Sequence, residues 1–248
     1  MVNVKGKWAL ITGASRGIGY LTALFLADQG CNLILHSRKP EHTQKVLEEV
    51  LAKGVQAYAV SAELSDPDAV ERMLAEIDGL GVNVELIANN AGVQVAYRSQ
   101  YLTTPKEDYE TSFRINTIAP MMIVYHFLPK MIEQGFGRIL NTTSGIRLEP
   151  EQAGYSASKA ALDKVTIDLG SKLQGTNVTI NLTDPGWCRT DLGGQHAPND
   201  PKSAIPGITV GLFIDDQKSG RFLGAQNFTG MTLEDAVKKA EAEFESPY

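Results

Sequence analysis

Short apolar runs alternate with longer amphipathic segments along most of the chain. Six of these runs are rich in aliphatic and β-branched residues and too short for helices, so we predict strands at residues 8–12, 32–36, 55–60, 84–88, 138–141 and 178–182. Helical patterns follow at residues 17–29 and 40–53. Ser65, ahead of Pro67, is the predicted N-cap of another helix, and Thr232 that of a final amphipathic helix.

Strands that alternate with helices indicate βαβ units, which build a parallel sheet with helices on both faces. We therefore predict an α/β fold, a single doubly wound Rossmann-type domain over residues 1–248. The chain contains no repeat and no linker-like segment. Residues 191–207 interrupt the pattern, and their Gly193-Gly194 pair and three prolines favour a hinged substrate lid over a packed element.

Composition and charge exclude several classes of function. The chain has 248 residues, is 43% hydrophobic and carries a net charge of −6, which argues against a nucleic-acid partner. The N-terminus lacks an apolar leader and no apolar run is long enough to span a bilayer, so we expect a cytoplasmic protein without membrane contact. The two cysteines, Cys31 and Cys188, and four scattered histidines show no metal-ligand spacing, so no metal is expected.

The segment "TGASRGIG", residues 12–19, follows the first strand and opens a helix. Glycines at 13, 17 and 19 let the backbone turn tightly and approach a diphosphate, while the helix N-terminus offers free N–H groups. The alternative is a glycine-rich turn without a ligand. Its place in the first βα unit favours a dinucleotide site.

The residue expected to read the cofactor ribose lies about 20 residues beyond the glycines. That place holds Ser37 instead of a carboxylate, with Arg38 beside it and Arg16 inside the glycine turn. Two arginines and a serine favour binding of an anion such as the 2′-phosphate of NADP, so we predict that NADP(H) is preferred over NAD(H). The alternative is that both arginines are solvated surface charges.

Tyr155 and Lys159 in "YSASK" are four residues apart and share one face of a helix. Taken alone, this spacing is also typical of ordinary surface packing. Together with "TGASRGIG", "NNAG" (residues 89–92) and "DPGWCRT" (residues 184–190), however, the chain resembles a single-domain short-chain dehydrogenase/reductase over nearly its whole length. The part "PGWCRTDLGG" resembles the carbonyl reductases of that family, although Asp184 is an unusual residue before the Pro-Gly pair.

The resemblance implies an NAD(P)-dependent oxidoreductase with a catalytic tetrad of Asn116, Ser144, Tyr155 and Lys159. Glu63 stands where the family usually has Asp against the adenine. The cofactor contacts that the resemblance and the glycine turn imply are Gly13, Ser15, Arg16, Gly17, Ile18, Gly19, Ser37, Arg38, Glu63, Leu64, Asn90, Ala91, Gly92, Tyr155, Lys159, Pro185, Gly186 and Thr190.

In this interpretation a hydride passes between the nicotinamide and a carbonyl or secondary alcohol, with Tyr155 as general acid/base. We expect the charge of Lys159 to lower the pKa of Tyr155 and its ammonium to hold the nicotinamide ribose. Ser144 would stabilise charge on the carbonyl oxygen, and Asn116 would seat a water that relays protons to Lys159.

The substrate itself is not specified by the sequence. Gln94, Val95, Ile146, Trp187 and the 191–207 segment are the predicted pocket, which leaves steroids, sugars, small diketones and aldehydes open. The family resemblance favours a homodimer or homotetramer packed through the long helices. The alternative functions are a sugar-nucleotide epimerase or dehydratase, an NAD-dependent sugar or steroid dehydrogenase, and a catalytically silent dinucleotide-binding sensor.

Overall fold

Seven parallel strands form one sheet in the computed structural model, which describes residues 1–247. Their order across the sheet is β3-β2-β1-β4-β5-β6-β7. The strands are β1 (Trp8–Ile11), β2 (Asn32–Ser37), β3 (Ala57–Ser61), β4 (Val84–Asn89), β5 (Gly137–Thr142), β6 (Val178–Asp184) and β7 (Phe222–Gly224). This is the predicted α/β, Rossmann-type fold.

Helices connect the strands and cover both faces of the sheet. They are α1 (Gly17–Asp28), α2 (Gln44–Leu51), α3 (Pro67–Gly79), α4 (Lys106–Phe113), α5 (Ala119–Gln134), α6 (Ala153–Ser171) and α7 (Leu233–Glu243). A π-helical turn, Arg114–Ile118, joins α4 to α5. Within residues 1–247, no helix is long and apolar enough to cross a membrane, and no group of His, Cys, Asp and Glu side chains could hold a metal ion.

Successive residues of each strand point to opposite faces, so two separate cores form. Ile11 and Leu35 pack with α1, α2 and α7 on one face. Leu10 and Ile34 pack with α3, α5 and α6 on the other. Burial on both faces explains why the strands read as continuous apolar runs instead of alternating patterns.

Several predicted boundaries were wrong for local reasons. β7 was not predicted, because its three residues, Phe222–Gly224, are too few to form a recognisable pattern. The N-cap of α3 is Asp66 and not Ser65: its Oδ1 accepts from the N–H of Asp68 at 3.0 Å. The predicted helix at 40–53 begins with the 3-10 turn Pro40–Thr43 and ends at Leu51. The Thr232 cap is confirmed, since its Oγ1 accepts from the N–H of Asp235.

The strand order reverses between β1 and β4, because β2 lies on one side of β1 and β4 on the other. The loops after these two strands therefore leave the sheet in opposite directions and open a crevice at its carboxyl edge. Ligands of doubly wound proteins bind at this kind of switch point.

Candidate active site

A cleft of about 1030 Å³ opens at the carboxyl ends of the strands. The glycine turn lines it, together with segments that follow β2, β3, β4, β5 and β6. Seventeen of the eighteen predicted cofactor positions line the cleft, and Gly19, which lies directly behind the turn, is the one that does not.

The glycine turn has the backbone geometry that its sequence predicts. Gly13 and Gly17 have φ values of +67° and +57°, where a side chain would be strained. A Cβ on Gly19 would lie 2.2 Å from the carbonyl oxygen of Gly13. No side chain caps the N-terminus of α1, so its first N–H groups remain available for a phosphate. The turn therefore fits the diphosphate of a dinucleotide.

The segment after β4 is tied to this turn by direct hydrogen bonds. Asn90 donates through Nδ2 to the carbonyl oxygens of Thr12 at 3.2 Å and Gly13 at 3.4 Å. The N–H of Ala91 donates to Oγ1 of Thr12 at 3.0 Å. A Cβ on Gly92 would lie 3.3 Å from Oδ1 of Asn116 and 3.5 Å from Nζ of Lys159. These contacts hold the two walls of the switch point together.

The predicted anion pocket is assembled in part. Arg16 and Arg38 both line the cleft, and both are exposed. Arg16 forms an ion pair with Asp191 at 2.6 Å, so this arginine already has an acidic partner. Ser37 is buried and donates through Oγ to the carbonyl oxygen of Lys39 at 2.7 Å. Glu63 turns back on its own loop, where Oε1 accepts from the N–H of Ser65 at 3.1 Å.

His36 is a cleft residue that the sequence reasoning missed. Its Nδ1 accepts from the N–H of Gly13 at 3.3 Å, which leaves Nε2–H to donate to the carbonyl oxygen of Ala62 at 3.1 Å. Burial lowers the pKa of this imidazole, and both contacts fit the neutral ring. His36 thus joins the glycine turn to the end of β3. A lone histidine at the end of an apolar strand carried no signal of this role.

Tyr155 and Lys159 lie on α6 and are both buried at the cleft. Nζ of Lys159 donates to the carbonyl oxygen of Thr142 at 2.7 Å and lies 5.9 Å from the centre of the Tyr155 ring. A Cβ on Gly154 would lie 2.7 Å from the carbonyl oxygen of Asp108 in α4. Gly154 therefore lets the start of α6 pack closely against α4.

The expectation that Lys159 lowers the pKa of Tyr155 is wrong for this structure. Burial raises the pKa of the phenol, a hydrogen bond with Ser144 lowers it, and the negative charge of Asp184 raises it further. Burial also lowers the pKa of Lys159 to about 8, against the opposing effects of Asp163 and Asp184. Desolvation is therefore the largest effect on the pKa of both groups.

Asn116 lies in the π-helical turn and is fully buried. Its Oδ1 accepts from the N–H of Val93 at 2.9 Å, while Nδ2 donates to the carbonyl oxygen of Val93 and to Oγ of Ser158. Both amide hydrogens are thus used by the protein, and one lone pair of Oδ1 remains for a water. The side chain fixes the segment after β4 against α6.

Ser144 follows the end of β5, and Asp184 ends β6. Oγ of Ser144 accepts from the N–H of Ile146 at 3.3 Å. The carboxylate of Asp184 accepts from the N–H of Gly145 through Oδ2 and from the N–H of Gly186 through Oδ1, both at 2.9 Å. Asp184 therefore connects the turn that carries Ser144 to the Pro-Gly turn.

The predicted substrate residues do not line the cleft. Gln94, Val95, Ile146 and Trp187 are absent from its walls, to which Val93, Ile115 and Leu192 contribute apolar surface. Trp187 is 59% exposed and donates through Nε1 to the carbonyl oxygen of Gly193 at 2.7 Å. Contact between these four residues and a substrate stays a prediction.

The 191–207 segment divides into two parts. Residues 191–196 are mostly exposed, whereas Pro201–Ala204 forms a 3-10 turn whose Ala204 packs in an apolar cluster with Ile208 and Ala225. The expectation that the three prolines exclude a packed element is wrong for this second part. A mobile lid remains a prediction for residues 191–196 alone.

Comparisons with known proteins agree with this geometry. A family model described as short chain dehydrogenase matches residues 7–201. The 3-oxoacyl-(acyl-carrier-protein) reductase FabG of Staphylococcus aureus is 33% identical over 237 residues, which cover 92% of this chain and 95% of that protein. Versicolorin reductase 1 of Aspergillus parasiticus is 34% identical over 197 residues, covering 75% and 71% of the two chains.

A solved structure supports the same relationship. The landomycin C-6 ketoreductase LanV, with bound NADP and rabelomycin, superposes with a TM-score of 0.77 at 29% identity. The match covers 94% of this chain and 98% of the ketoreductase. The shared fold therefore extends over nearly the whole of both chains.

Proposed function

Because the chain belongs to the short-chain dehydrogenase/reductase family, we propose that it is an NADP-dependent ketone reductase whose proton donor is Tyr155. Family membership makes the chain an NAD(P)-dependent oxidoreductase that acts on carbonyl or alcohol groups. The choice of cofactor, the direction of the reaction and the roles of individual residues belong to the proposal.

One observation carries the proposal: Tyr155 and Lys159 line the same cleft as the glycine turn. When bound, NADPH would supply the hydride that the carbonyl carbon takes up, and the carbonyl oxygen would then need a proton. Tyr155 donates that proton, and the hydroxyl of Ser144 donates a hydrogen bond to the same oxygen. Lys159 holds the ribose hydroxyls of the cofactor.

The protonation of Tyr155 supports reduction as the proposed direction of the reaction. Burial raises the pKa of this phenol, so it carries its proton throughout the neutral range. A protonated phenol is the form that reduction requires, whereas oxidation of an alcohol requires the phenolate. The site is therefore better suited to reduction at neutral pH.

The preference for NADP depends on the two exposed arginines at the adenosine end of the cleft. Arg16 and Arg38 line this end, and the position beside Arg38 is Ser37 instead of a carboxylate that would repel a 2′-phosphate. LanV and a metagenomic short-chain oxidoreductase, 28% identical with a TM-score of 0.69, both contain NADP in their structures.

The substrate class is proposed from the named relatives. FabG, versicolorin reductase and LanV are named for reduction of a 3-oxoacyl group, of versicolorin and of a C-6 ketone. A ketone on a chain or fused ring fits the open cleft, whose walls include Val93, Ile115 and Leu192. We also propose self-association, because α5 exposes Tyr125 and Ile132.

The test is NADPH consumption by the purified protein with a small panel of ketones. The panel contains a 3-oxoacyl thioester, a fused bicyclic ketone, a simple diketone and an aldehyde, and Tyr155→Phe is the control for each. We expect at least one ketone to be reduced by wild type and not by the variant. Nucleotide binding without turnover of any compound would favour the silent sensor.

A further inference from the structure

Asp163 lies on α6, one turn beyond Lys159. Its half-buried carboxylate accepts a hydrogen bond from the hydroxyl of Thr143, the residue directly after β5. Thr143 lines the cleft and is almost fully buried, whereas Asp163 does not line the cleft. Any effect of Asp163 on turnover therefore has to pass through the residues that it contacts.

Two side chains of α6 hold two consecutive residues at the end of β5. Nζ of Lys159 donates to the carbonyl oxygen of Thr142 at 2.7 Å, and the carboxylate of Asp163 accepts from Thr143. Lys159 and Asp163 are four residues apart, so they share one face of α6 and reach the strand side by side. The next residue along the chain is Ser144, whose distance from α6 therefore depends on both bonds.

Thr143 divides its polar groups between the sheet and the helix. Its N–H donates to the carbonyl oxygen of Thr183 in β6 at 2.8 Å, and its hydroxyl donates to Asp163. The first bond extends the pairing of β5 with β6 by one residue. The second bond ties the same residue to α6, and a hydrogen bond to a charged acceptor is stronger than one between neutral groups.

We propose that Asp163 is a positioning residue: through Thr143 it holds the end of β5 against α6, and so it fixes Ser144 relative to Tyr155. The proposal rests on the proposed function, in which both hydroxyls act on the carbonyl oxygen of the substrate. Tyr155 lies on α6 itself, whereas Ser144 follows the strand end that Asp163 holds. Such groups need close alignment, since a misplacement of about 1 Å can lower a rate by on the order of 100-fold.

The first measurement is the distance between the hydroxyls of Ser144 and Tyr155 in crystal structures of wild type and Asp163→Ala, both without cofactor. We expect this distance to increase in the variant by more than about 0.5 Å, the tolerance within which catalytic groups have to be held. Asp168→Asn is the matched control and should keep the wild-type distance, because Asp168 is an exposed carboxylate of the same helix that pairs with Lys164. An unchanged distance in Asp163→Ala would overturn the proposal.

The second measurement is the turnover of a ketone that wild type reduces. Asp163→Ala should lower kcat by about 10-fold, since a hydrogen bond to a charged group is lost, and leave the dissociation constant of NADPH near that of wild type. Thr143→Val should have the same effect, because it keeps the shape of the residue and removes the hydroxyl. Thr143→Ser restores the hydroxyl and should recover most of this loss. Equal losses of kcat in Thr143→Ser and Thr143→Val would contradict the proposal.

A double variant distinguishes one shared bond from two independent effects. If Asp163 and Thr143 act through the same bond, Asp163→Ala combined with Thr143→Val should lose no more kcat than either single variant. Losses that multiply would show that the two residues act separately and would overturn the proposal. Asp163→Asn replaces Asp163→Ala in all three measurements if the latter does not fold.

The two kinds of measurement separate this proposal from the proposed function. If wild type reduces no ketone, the proposed function fails, while the crystal structures still decide whether Asp163 positions Ser144. A longer distance in Asp163→Ala with an unchanged kcat would show a structural role only and contradict the proposal.

Discussion

Tyr155 and Lys159 lie one turn apart on α6, with the ammonium 5.9 Å from the centre of the phenol ring and bonded to the carbonyl oxygen of Thr142. The lysine is thus oriented by the end of β5 and not by the tyrosine. Burial favours the neutral form of both groups, because it raises the pKa of Tyr155 and lowers the pKa of Lys159. This relationship places a protonated phenol at the cleft.

Replacement of Tyr155 by Phe removes one oxygen atom and the proposed proton donor. We expect kcat to fall by roughly 100-fold or more, since general acid catalysis contributes on this scale. NADPH affinity, measured by fluorescence titration, should stay near that of wild type. Tyr58→Phe is the matched control, because Tyr58 lies exposed on β3 and does not line the cleft. Retention of a tenth of wild-type kcat in Tyr155→Phe would show that another group donates the proton.

The two directions of the reaction should depend on pH in opposite ways. Reduction needs the protonated phenol, and the pKa of Tyr155 is raised, so the reductive kcat should decline only as pH rises through a value above about 10. Alcohol oxidation should increase over the same range. The measurement is kcat in both directions across the alkaline range in which the protein stays folded. Identical profiles would argue against a titrating phenol.

Arg38→Ala should weaken the binding of NADPH and leave the binding of NADH nearly unchanged. A hydrogen bond to a charged group contributes roughly 1.5–3 kcal/mol, which corresponds to about a 10- to 100-fold effect. Lys39→Ala is the control, since Lys39 is an exposed neighbour that does not line the cleft. The measurement is kcat/KM for both cofactors.

Ser37→Asp should move the preference toward NADH by a larger factor than Arg38→Ala. The new carboxylate repels a 2′-phosphate and accepts from a 2′-hydroxyl. The variant also loses the hydrogen bond from Ser37 to the carbonyl oxygen of Lys39. Its melting temperature is therefore compared with that of wild type, to separate a loss of stability from a change of cofactor preference. A wild-type preference for NADH, or equal losses with both cofactors in Arg38→Ala, would identify the arginines as surface charges.

Residues 191–196 should become protected from proteolysis when the cleft is filled. They are mostly exposed, and Asp191 pairs with Arg16, which a 2′-phosphate would also contact. A non-specific protease should cut there in the free protein and more slowly with NADP and a ketone analogue. Pro201–Ala204 is the internal control, because this packed turn should resist cleavage in both states. Equal cleavage of residues 191–196 in both states would contradict the prediction that they form a lid.

Local chemistry in the sequence was enough to predict the main features of the fold. Buried parallel strands need continuous apolar runs, and the glycines of the first turn are required by their backbone geometry, so both are visible without a structure. The Thr232 cap depends on residues three apart and was predicted for the same reason. β7 was missed, because its pairing with β6 and not its own composition makes it a strand.

Only the tertiary structure decided the protonation and the partners of the site residues. The sequence places Lys159 near Tyr155, but burial by the rest of the fold reverses the expected effect on the phenol. His36 contacts Gly13, and Asp184 contacts Gly145, across distances of 23 and 39 residues in the chain. Spacing along one helix reports which side chains share a face, whereas desolvation and contacts between strands depend on how the whole chain packs.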